Sequence, residues 1–72
     1  MTATAQTMFA AVFVTTGGGR EVVSYHATRE AAREAAPDVW CHVRTVAGTV
    51  HADGTAEAAP GEPVQGRAPY RG

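Results

Sequence analysis

Cys41, His42, His26 and His51 are the residues of this 72-residue chain best suited to chemistry. A thiol and three imidazoles can hold a soft or borderline metal ion, and a thiol beside an imidazole can serve as a nucleophile. Their spacing speaks against both uses. Cys41 and His42 are neighbours within a stretch rich in strand-forming residues, so their side chains point to opposite faces, and no CxxC or HxxxH frame surrounds them. A base for Cys41 would have to come from another strand, as His26 or His51, and no local signature marks such a pair. The expectation is a small buried cysteine among surface histidines, with no catalytic residue, no metal and no cofactor. Glu21, Glu30, Glu34, Asp38 and Asp53 fall on a turn edge, a wet helix face and chain breaks, where solvation accounts for them.

The run Gly17-Gly18-Gly19 raises the second chemical question. A phosphate cradle needs glycine-rich backbone that opens a helix, so that amide groups and the helix terminus converge on the anion. Here the glycines lead from one strand-like run into another, and no Lys-Ser or Lys-Thr follows. They are expected to form a hairpin turn that uses glycine's access to positive φ.

The elements around these residues follow from periodicity. Thr7 to Thr16 is rich in Phe, Val and Thr and apolar at both parities, with Met8, Ala10, Val12 and Val14 opposite Phe9, Ala11 and Phe13. Such a strand needs cover on both faces. Glu21 to Ala27 reads as a second strand, with Val23 and Tyr25 opposite Val22, Ser24 and His26. Thr28 can cap a short helix over Arg29 to Ala36, stopped by Pro37, whose Ala31, Ala32, Ala35 and Ala36 form a small apolar face. After Pro37-Asp38, Val39 to Ala52 predicts strand again, split or bulged near Ala47-Gly48. The handedness rule for crossovers places this third strand beside the first.

These elements predict an α+β fold: a ββαβ(β) unit with an antiparallel sheet of three to four strands and one short helix packed on one face. Residues 1–6 are expected to be a flexible start and 7–53 the core. Residues 54–72, rich in Pro, Gly and Ala without periodicity, are expected to form a flexible tail that the core does not need. The tail's second use would be docking on a partner through Val64, Arg67, Tyr70 and Arg71.

Composition narrows the function. The formal net charge is −1 and every one of the six basic residues is Arg, which removes the broad positive field of non-specific nucleic-acid or membrane binding. The single cysteine cannot form an internal disulfide, and the seven-residue apolar run Met8–Val14 is too short for a membrane span and lacks the flanks of a signal peptide. A cytoplasmic setting is expected. Leu, Ile, Lys and Asn are absent, a bias that GC-rich coding gives and that points to a bacterium or a bacterial virus, in the latter case with a virion-associated protein. The expected function is that of a small non-enzymatic interaction or structural accessory protein, self-associating or bound to another protein. Its sheet face would be anchored by Phe9, Phe13, Tyr25 and Trp40. The alternative is a small nucleic-acid-binding module that uses the hairpin, with Arg20, Arg44, Arg67 and Arg71 on phosphates.

Overall fold

The computed structural model describes residues 5–36 and 39–72. Its elements are β1 (Gln6–Val14), β2 (Arg20–His26), α1 (Arg29–Ala35), β3 (Cys41–Val50), β4 (Thr55–Ala58) and β5 (Arg67–Arg71). The strands close into a barrel in the order β1, β2, β5, β4, β3. This corrects the expected open α+β sheet of three to four strands with a flexible tail. The residues after Gly54 supply two of the five strands and complete the barrel wall. Residues 1–4, most of the expected flexible start, lie outside the described residues, as does the Pro37-Asp38 break.

β1 alternates as its sequence implies. Met8, Ala10 and Val12 are fully buried in the barrel core with Tyr25, Val46, Ala56, Ala58, Val64 and Ala68. Phe9, Ala11 and Phe13 point outward, where Ala11 alone is fully buried. The glycine run is the hairpin turn: Gly18 N–H donates to the Thr15 carbonyl at 3.0 Å, with φ of 83° at Gly18. In β2 the parity differs from the simple alternation. Ala11 pairs with Ser24 but Val12 with Val22, so Val23 is an extra, bulged residue. The bulge sends Val22 toward the core and leaves Val23 exposed.

β3 is one continuous strand, without the expected split at Ala47-Gly48. It changes neighbours instead, pairing with β1 from Cys41 to Gly48 and with β4 from Gly48 to Val50. Gly48 is the point of exchange, and its lack of a side chain lets the β4 backbone approach. A turn from His51 to Thr55 follows, in which the Asp53 carboxylate accepts from Thr55 N at 3.0 Å and from Thr55 Oγ1 at 2.6 Å. Arg67 then binds Asp53 Oδ2 at 2.8 Å, tying β5 to this turn.

The barrel closes through Tyr25. Its hydroxyl donates to the Gly66 carbonyl at 2.6 Å and accepts from Ala58 N–H at 3.2 Å, so one side chain on β2 holds β4 and the entry to β5. The strand pairing at this seam is short and parallel, limited to Tyr25 with Tyr70 and His26 with Arg71. Tyr25→Phe is therefore expected to cost about 2 kcal/mol, because it strands a buried amide. Chemical denaturation of both proteins measures this, and an unchanged midpoint would refute it.

Helix α1 lies outside the barrel against β1, β2 and β3. Thr28 Oγ1 accepts from Ala31 N–H at 3.1 Å, the N-cap its sequence implies, and Ala32 is the residue fully buried. Ala11, Ser24 and His26, on the strands that α1 packs against, are buried but outside the core cluster. Arg29 anchors the first turn, its guanidinium 5.3 Å above the Phe9 ring and Nη2 donating to Thr45 Oγ1 at 3.0 Å.

Candidate functional site

The strand registers leave one end of the molecule built differently from the rest. β5 pairs with β2 only at Tyr25 and His26, and β4 pairs with β3 only from Gly48 to Val50. The ladder β2-β1-β3 continues past both, through Val12–Val14, Arg20–Val22 and Cys41–Val43. Val14 N–H extends it by one more bond, to the Trp40 carbonyl at 2.8 Å. The tip is apolar and open: Val39 is 92% exposed, Trp40 61% and Phe13 38%. Phe13, Val14, Thr15, Thr16 and Trp40 line a cleft of about 370 Å3 there.

A cationic cluster adjoins this tip. Arg20 pairs with Val14, His42 with Val12 and Arg44 with Ala10, all on the parity that continues the barrel interior. The His42 imidazole is held below its ordinary value by burial, then by Arg44 and Arg20. Its Nε2 is buried without a hydrogen-bond partner. Among the described residues, neither Arg20 nor Arg44 forms an ion pair. The only acid on these segments of the ladder, Glu21, is the register partner of Phe13 and sits on the opposite face.

The residues singled out from the sequence are thus dispersed. Phe13 and Trp40 come together at the tip. Phe9 lies under Arg29, and Tyr25 is fully buried in the core. Val64 is buried against the same core and Tyr70 packs partly buried on it. Arg67 binds Asp53 and donates through Nε to Thr55 Oγ1 at 2.8 Å, while Arg71 stands beside His26. Cys41 is half-buried, its strand pairing with β1 placing it opposite Phe13. Among the described residues, no three His, Cys, Asp or Glu side chains converge as metal ligands. His51 bonds Glu57 Oε1 at 3.0 Å. No helix among the described residues is long and apolar enough to cross a membrane.

One polar pair forms a unit that the sequence pattern only hints at. Ser24 Oγ and His26 Nε2 lie 2.7 Å apart, the residues being 5% and 3% exposed. Their i, i+2 spacing on a strand, which shares a face, was the available signal. His26 Nδ1 has no partner, so the orienting carboxylate of a nucleophilic triad is missing among the described residues.

Burial first, and then Arg71, hold the His26 imidazole below its ordinary 6.5. With His26 and His42 both depressed, the unfolded chain binds more protons on acidification than the folded one. Stability is fully present above pH 6.5 and is lost as pH falls below it toward the folded values. A lower denaturant midpoint at pH 5 than at pH 7 is expected; equal midpoints would contradict the burial of both rings. No protein-family model, curated protein or solved structure matches this chain.

Proposed function

We propose that this protein is a non-enzymatic interaction module, an accessory or structural component, that docks a protein partner on the tip of its β2-β1-β3 ladder. The observation that carries this reading is the exposed group Phe13, Val39 and Trp40 beside Arg20 and Arg44, which form no ion pair among the described residues. Aromatic side chains at a surface are the usual anchors of protein contacts, and the cations select what lies beside them. The complementary partner segment presents an apolar side chain flanked by carboxylates. The Met8 and Val12 face, which an open sheet would have exposed, is covered by the chain's own β4 and β5. Docking therefore rests on the tip.

Selection of displayed random peptides against the immobilised protein tests this. Expected is enrichment of sequences that place Asp or Glu beside an aromatic or aliphatic residue. Trp40→Ala and Arg44→Glu are each expected to weaken binding at least tenfold, or about 1.4 kcal/mol. Peptides without acid enrichment, or binding that survives both substitutions, would overturn the reading. Tight, steeply salt-dependent binding of labelled single-stranded or duplex nucleic acid would replace it with the nucleic-acid alternative. A concentration-dependent mass in sedimentation that Trp40→Ala abolishes would instead make the partner a second copy.

A further inference from the structure

A second concavity lies away from the docking tip, between α1 and the adjoining ends of β2 and β5. Ala31, Glu34 and Ala35 form its helical wall, and Ser24, His26 and Arg71 lie on the strand side. Its volume is about 630 Å3, within the range of sites for small molecules. Its two walls together fit one kind of occupant.

His26 is 3% exposed, and its Nδ1 is buried without a partner. When Ser24 Oγ–H donates to Nε2 across the 2.7 Å contact, the proton of the neutral ring resides on Nδ1, which becomes an unsatisfied donor. Arg71 is the register neighbour of His26 on the parallel strand, so both side chains leave the same face of the barrel. Its guanidinium, close enough to depress the His26 imidazole, has no ion-pair partner among the described residues. Two adjacent donors, one of them charged, match the two oxygens of a carboxylate. Glu34 on the opposite wall repels a second negative charge, which disfavours a phosphate dianion. Ala31, Ala35 and Pro69 offer small apolar surface to an aliphatic body.

We propose that this groove binds a small aliphatic monocarboxylate whose carboxylate accepts hydrogen bonds from Arg71 and, once the buried His26 ring shifts toward the groove, from His26 Nδ1–H. The test titrates the full chain with 4-methylpentanoate, followed by calorimetry and by the ring nitrogen resonances of His26. Saturable binding with a shift of the His26 Nδ1 signal is expected, at least tenfold tighter than for 4-methylpentanamide. Arg71→Gln should weaken it tenfold or more. That variant keeps the fold's contacts, because the main chain of Arg71 makes the bond from Ala27 N–H at 3.3 Å. Glu34→Gln, on the exposed helix face, should tighten binding several-fold. No movement of His26 at tens of millimolar 4-methylpentanoate, binding indifferent to Arg71→Gln, or inorganic phosphate bound as tightly as the carboxylate would each overturn the proposal.

Discussion

Ending the chain after Asp53 is expected to abolish cooperative unfolding. The deletion removes β4 and β5, which leaves the outer edges of β3 and β2 unpaired along Gly48–Val50 and at Tyr25 and His26. It also takes Ala56, Ala58, Val64 and Ala68 out of the core, so the fully buried Met8, Val12 and Val46 face water. Both hydrogen-bond partners of the Tyr25 hydroxyl go with them. A domain of this size has a folding margin of only about 5 kcal/mol. Losing several buried side chains at roughly 1 kcal/mol or more each exceeds that margin. The shortened chain should show no sharp thermal transition and poor dispersion of amide resonances. A transition within a few degrees of the full chain's would mean that the closed barrel is not what stabilises this protein.

Gly48→Ala should be the most damaging single substitution of comparable size. A β-carbon at that position meets the Glu57 carbonyl oxygen, lies 2.6 Å from Met8 Cε and 3.0 Å from Ala58 Cα. The Met8 methyl can rotate away, but the other two atoms belong to the paired backbone of β4 and move only if the β3-β4 ladder opens. The expected loss is about 3 kcal/mol, at the upper end of the overpacking range. Gly17→Ala is the matched control, since a β-carbon there meets nothing within 4 Å and φ is not positive. Its midpoint should stay within about 0.5 kcal/mol of the parent. Equal midpoints for the two variants would show that β4 does not press on β3 at Gly48.

The elements most readable from the sequence are those whose signals are local. The two-sided apolar run of β1, the glycine turn, the Thr28 cap and the alanine helix all occur where their residue types place them, and β3 lies beside β1. The missed strands carry faint signals. β4 alternates Thr55, Ala56, Glu57 and Ala58, with alanine, a poor strand former, as its inward residue. β5 contains Pro69, which cannot donate to a ladder and marks a run as loop or edge. Val23 misled by parity, because a bulge is set by how β2 must bend around the barrel and not by its own residue type.

The same division holds for the sites. Phe13 and Trp40 are exposed at the barrel's end, whereas Tyr25, a similar residue in a similar strand, is a core pillar. The two differ only in which face the barrel closes over. Residue types and their spacing are enough to set the local conformations: where the chain turns, where the helix starts, and which β1 residues share a face. Those depend on steric and hydrogen-bonding preferences within a few residues. Tertiary structure alone decided that the last residues return as strands, that the Met8 face is buried within one chain, and that His26 meets Arg71. Each depends on pairing between segments far apart in sequence, where weak strands persist only because neighbours on both sides satisfy their backbone and a shared core takes their small side chains.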